Sequence, residues 1–112
     1  MAVFDVTSVL KKRVRLTEAQ WEHIRGRHPE MAGQQNKMLR TLVQPDFVVY
    51  SAADETHHYC RAYTGTPVSD KLLLLVVKHL NGDGFVVTAF FVNRIRKQGK
   101  VIVYGQETYD QL

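Results

Sequence analysis

The chain has a single cysteine, Cys60, so no internal disulfide can form. That economy suits a reducing compartment, and the expected location is the cytoplasm. No apolar run approaches the roughly 20 residues needed to span a bilayer. The longest, over residues 72–77, is six residues of Leu and Val. It reads instead as a strand buried on both faces. The first residues lack a basic stretch followed by an apolar run, so no secretory leader is expected. Repeats, low-complexity tracts and Gly/Ser/Pro linkers are missing too, which leaves no domain boundary. One domain over residues 1–112 is the expectation, and the sequence allows flexible ends over 1–12 and 105–112.

Several site types are missing as well. The sequence has no phosphate-binding Gly-rich loop, no His-Glu-x-x-His motif and no cysteine pair. His57 and His58 are adjacent in an extended segment and point to opposite faces, so they do not share one ion easily. No metal and no cofactor is expected. Nor is there an evident Ser-His-Asp set or pair of catalytic carboxylates. Cys60 reads as a packing residue.

What the sequence does have is positive charge. Lys and Arg number 15 against 11 Asp and Glu, a net charge of +4. The cations cluster at Lys11, Lys12, Arg13 and Arg15, at Arg25 and Arg27, and at Arg94, Arg96, Lys97 and Lys100. Such patches concentrate polyanions around a protein. The same residues also serve as a plain solvated surface.

Thr17 and Gln20 fit a capping box, and Leu16 and Trp21 have the spacing of a hydrophobic staple, so a helix is expected over 17–27. His28 precedes Pro29, which disfavours helical backbone and ends it. Pro29 then suits the start of a second helix, with Met31, Gln35, Met38, Leu39 and Leu42 as its apolar stripe, ending by Gln44. Strands are expected over 47–51, 56–64, 71–80, 85–95 and 101–104, with a hairpin turn at Asn81, Gly82, Asp83 and Gly84. Residues 2–15 read as an arm or a short edge strand. The expected class is α+β, with two N-terminal helices packed on a four- to five-stranded antiparallel sheet.

Residues 21–30 hold two histidines, two arginines and two glutamates. His23 and Arg27 share a helix face. His28 lies at the break between helices, where it can project over a sheet edge, and histidine gives or takes a proton near neutral pH. Equally, His28 could cap a helix and His23 could be a surface residue. Arg61 alternates with Tyr59 and Tyr63 on one strand face, a reasonable platform for phosphate or base, or an edge charge that blocks aggregation. Thr88 and Arg94 are six apart and share a face if their strand is regular. If Leu80 pairs with Phe85, Thr88 faces the side of Val77 and His79, away from Lys78; a bulge reverses this.

Val14, Arg15, Leu16 and Thr17, then Trp21, Glu22, His23 and Ile24, then Arg27, His28, Pro29 and Glu30 resemble the opening of small phage and bacterial domains of the barnase–EndoU–colicin–RelE nuclease superfamily. Pro45 and Asp46 before a strand, Tyr59, Cys60 and Arg61, and Val87 to Phe91 followed by Arg94 extend the likeness over roughly residues 13–96. The resemblance implies metal-independent RNA cleavage by a toxin- or phage-effector-like enzyme. It makes His28, His23, Arg61, Thr88 and Arg94 candidate catalytic residues. Arg25, Arg27, Tyr59, Tyr63, Lys78, Arg96 and Lys97 become candidate RNA contacts. The expected partner is RNA, with an antitoxin or immunity protein as a further partner, and no membrane; the oligomeric state is left open. Two other functions fit the same residues: a non-catalytic RNA-binding module, and a protein-interaction member of a toxin–antitoxin pair.

Overall fold

A computed structural model describes residues 2–66 and 71–111. Its centre is one seven-stranded mixed sheet. The strands are β1 (Ala2–Thr7), β2 (Arg13–Thr17), β3 (Phe47–Ser51), β4 (Thr56–Ala62), β5 (Leu72–Leu80), β6 (Asp83–Val92) and β7 (Lys100–Tyr104). Their order is β1-β2-β6-β5-β4-β3-β7. The helices are α1 (Glu18–Arg27), α2 (Gln35–Val43) and the short α3 (Gln106–Asp110).

This overturns the expected two helices on a four- to five-stranded antiparallel sheet. The meander from β3 to β6 is antiparallel and in order, but two strands precede the helices and one leaves the meander. β1 and β2 form a hairpin that meets β6 in parallel at Arg15 and Phe85. β7 crosses to the far edge and pairs with β3. Neither pairing has a local sequence signal, because both join segments distant along the chain. β1 lies near the start of the chain and α3 near its end.

α1 begins as its sequence dictates: the Gln20 amide donates to Thr17 Oγ1 at 3.1 Å. Only half of the capping box forms, since the Gln20 side chain donates to the Val87 carbonyl instead. That bond ties α1 to the β6 edge beyond the reach of β2. The second helical segment is broken. Pro29–Met31 is a 3₁₀ turn, Gly33 takes φ of 78°, and α2 starts only at Gln35. A left-handed glycine cannot continue an α-helix, so the stripe that begins at Met31 spans two elements.

The two faces of the sheet differ. On one, Trp21, Ile24, Met31, Met38 and Leu42 from the helical segments bury Val14, Leu16, Val48, Tyr59, Leu73, Leu75, Val77, Val86, Ala89 and Phe91. The other carries a smaller cluster of Phe47, Val49, Cys60, Leu74 and Tyr109, the last from α3. Tyr109 stacks at a tilt on Phe47, with centroids 5.4 Å apart, and so covers one corner of this second face.

The hairpin register differs from the one considered above. Leu80 pairs with Asp83 around a turn at Asn81 and Gly82, and a bulge near Val76 and Val77 shifts the pairing. Thr88 pairs with Val76 and lies on the second face, away from Val77 and His79.

Candidate nucleic-acid site

The site follows from which residues the second face leaves uncovered. Cross-strand partners share a face. One row there reads Phe47, Cys60, Leu74 and Phe90, and the next reads Val49, His58, Val76 and Thr88. A concavity of about 270 Å³ opens over these rows, lined by His58, Leu74, Phe90, Val92, Arg94, Ile95, Arg96 and Lys100. The chain leaving β6 supplies the two arginines, and β7 supplies the lysine.

His28 reaches the same neighbourhood from α1. β2 pairs with β6 only at Phe85, so the rest of that edge is met by α1 and the turn after it. The helix stops at the residue before Pro29, and the His28 ring stacks on Phe90 at 5.0 Å with planes 22° apart. Its Nδ1 lies 3.6 Å from Glu30 Oε1, and its side chain is 29% exposed. Phe90 thus joins His28 to the concavity that holds His58.

Among the described residues, some of the cations are neutralised and others, such as Lys11, Lys12, Arg27, Lys37 and Arg40, are not. Arg13 pairs with Asp5, Arg15 with Asp83, Arg25 with Glu22 and Lys78 with Glu55. Among the described residues, Arg94, Arg96 and Lys100 have no ion-pair partner. An unneutralised cation in a concave wall attracts an anion more strongly than one already paired. Burial, then the Lys100 charge, holds the His58 imidazole below its usual 6.5, while Asp54 opposes the shift. The ring is therefore neutral at neutral pH and able to accept a proton.

The residues singled out from sequence divide between the faces. His28, Thr88, Arg94 and Arg96 lie at or beside the concavity. Thr88 shares the row of His58, two strand spacings or about 10 Å away. Lys78 lies on this face but donates to the Asp54 carbonyl at 3.3 Å. Lys97 sits over the Tyr109 ring at 4.8 Å. His23 and Arg27 are exposed on α1, and Arg25 lies over Trp21 at 5.6 Å.

Arg61, Tyr59 and Tyr63 belong to the helix-covered face. Arg61 donates to the Gln44 carbonyl and lies over the Tyr63 ring, across the sheet from Arg94. Tyr59 is fully buried; its hydroxyl donates to Ser8 Oγ at 2.8 Å and meets His79 Nε2 at 2.9 Å. Tyr63 donates to the Lys37 carbonyl at 3.0 Å. The Tyr59 ring is closed to a base, while the Tyr63 ring is half-buried beneath Arg61. Burial pushes the Cys60 thiol far up, so it is no nucleophile at neutral pH. Among the described residues, no group of three or more His, Cys, Asp or Glu could hold a metal ion.

Sequence reasoning missed His58, Phe90 and Lys100 as site residues. Alternation put His58 opposite His57, but it could not tell which face the helices cover. Lys100 joins the site only because β7 pairs with β3.

Three histidines make acid stability predictable. Burial is the largest cause holding His57, His58 and His79 below 6.5, and for His79 it reaches about 4. The unfolded chain thus binds more protons than the folded chain between those folded values and 6.5, so stability rises with pH there. Urea midpoints should be flat above pH 6.5 and fall steadily toward pH 4. His79→Gln should flatten that slope; an unchanged slope would remove His79 as a source.

Among the described residues, no helix is long and apolar enough to cross a membrane. The chain matches no family model, no curated protein and no solved structure.

Proposed function

We propose that this chain is a metal-independent endoribonuclease of the toxin or phage-effector kind, acting in the cytoplasm, with its active site in the concavity of the second sheet face. The observation that supports this reading most is the meeting of His58, the Phe90 ring and the cations Arg94, Arg96 and Lys100 in one concavity, with His28 stacked on Phe90.

The chemistry closes without a further reagent. A base removes the proton of a ribose 2′-hydroxyl, and its oxygen attacks the adjacent phosphorus. The O2′–P bond forms as the P–O5′ bond breaks, and an acid protonates the departing O5′. Neutral His58 suits the base, and His28 suits the acid. His58 thus takes the place of a second catalytic histidine that the resemblance gave to His23. Arg94, with Arg96 and Lys100, faces the charge that builds on the phosphorane oxygens; a guanidinium fork can contact two of them. Phe90 offers a surface for a base. Arg61 drops out, because it lies on the other face.

The test is purified chain incubated with mixed total RNA in EDTA from pH 5 to 8, beside Arg94→Ala. Cleavage that survives chelation is expected, with Arg94→Ala lowering it at least tenfold. Intact RNA at every pH would overturn the proposal. Salt-sensitive RNA binding without products would then favour a binding module. No RNA binding at moderate salt would favour an acidic protein partner, such as an antitoxin or immunity protein.

A further inference from the structure

The geometry points to Asp54 and Thr56 as positioning residues that fix the ring proton of His58 on Nε2 and leave Nδ1 as its proton-accepting atom. The catalytic meaning of this inference rests on the ribonuclease reading; the hydrogen-bond chain itself does not.

Thr56 opens β4 opposite Ser51, directly after the turn that holds Asp54 and Glu55. Residues two apart on a strand share a face, so the Thr56 and His58 side chains stand side by side. Thr56 Oγ1 donates to Asp54 Oδ1 at 2.8 Å and lies 3.1 Å from His58 Nε2. A hydroxyl has one proton to give. The carboxylate is the stronger acceptor, because a bond to an ionised group is charge-assisted. With its proton committed to Asp54, the Thr56 oxygen can only accept from His58, which requires a proton on Nε2. In the neutral ring Nδ1 then holds the lone pair.

The chain is protected at its middle and anchored at its end. Thr56 is 5% exposed, so water competes poorly for its hydroxyl. The Asp54 carboxyl is held below its usual value mainly by the Thr56 hydroxyl, with help from Ser51, so it stays ionised at any pH where a histidine base works. The arrangement follows the general logic of a base oriented by a further group, with a threonine inserted between carboxylate and imidazole. The charged and titratable groups that act on His58 are Lys100 from β7, Asp54 from the turn and His57 beside it on the opposite face of its own strand, with Arg94 and Arg96 across the concavity.

The test is side-chain ¹⁵N–¹H correlation of the histidines in the full chain, for wild type, Thr56→Val, Thr56→Ser and Asp54→Asn. Wild-type His58 should be the Nε2–H tautomer. Thr56→Val and Asp54→Asn should give a mixture of tautomers, and Thr56→Ser should keep the wild-type form. In cleavage assays the first two should lower kcat about tenfold with little change in KM, and Thr56→Ser should restore it. Asp54→Asn serves alone if Thr56→Val fails to fold, since Asp54 is exposed. An Nδ1–H tautomer in wild type, or an unchanged tautomer in both Thr56→Val and Asp54→Asn, overturns the inference. The Nε2–H tautomer in a protein that leaves RNA intact overturns the ribonuclease reading and leaves the chain standing.

Discussion

Gly105→Ala should cost roughly 3 kcal/mol or more of stability in a denaturant melt, the sum of a left-handed backbone penalty and a backbone clash. Gly105 has φ of 78° and ψ of 40°. A Cβ added there would lie 2.2 Å from the Asp46 carbonyl oxygen and 2.8 Å from Phe47 Cα. Both are backbone atoms at the start of β3, so neither can swing aside. Relief requires β7 and α3 to lift off β3, which uncovers Phe47 and pulls Tyr109 out of its cluster. Gly99→Ala is the matched control. Its φ is 73°, but nothing lies within 4 Å of its added Cβ. It should lose only about 1–2 kcal/mol, the backbone part alone. Equal losses in the two variants would sink the clash argument. The prediction also bears on function, because β7 holds Lys100 against the concavity. A folded Gly105→Ala protein should cleave RNA poorly even at low temperature.

Gly105 illustrates what the sequence hides. Its demand comes from Asp46, some sixty positions earlier, and no local pattern signals it. Elements set by near neighbours were legible: the Thr17 cap, the stop at His28 before Pro29, and the strand order from β3 to β6. Elements set by distant pairing were not. β2 is a short basic, β-branched stretch that looks like an arm until β1 and β6 flank it. β7 has the same apolar pattern wherever it docks. Within the site, His28 was legible because a histidine before a proline must leave the helix axis. The tyrosines two positions either side of Arg61 suggest an open platform, whereas here Tyr59 is a core residue, Tyr63 is half-buried beneath Arg61, and both hydroxyls are bonded inside. Thr88 changed sides because a bulge adds one residue, and one residue reverses a face.

The largest functional effects are expected at the two histidines. His58→Ala and His28→Ala should each lower kcat/KM by about 10²–10⁴, the usual contribution of a positioned acid or base. The double variant should be little worse than the more damaged single variant, since groups that act in one proton-transfer step are not additive. The pH profile separates the roles. Cleavage needs His58 neutral, and burial with the nearby Lys100 charge holds its pKa below 6.5. The rate should therefore climb with pH on the acid side, with the midpoint of that limb below 6.5. His58→Ala should erase that acid limb; His28→Ala should lower the rate and leave the limb in place. His23→Ala is the negative control, because His23 is exposed on α1 and should leave both rate and limb intact. A His58→Ala protein with wild-type rate and the acid limb present would remove His58 from the chemistry. A wild-type rate in His28→Ala would reduce that residue to a ring that braces Phe90, and the acid would have to be sought among the cations of the concavity.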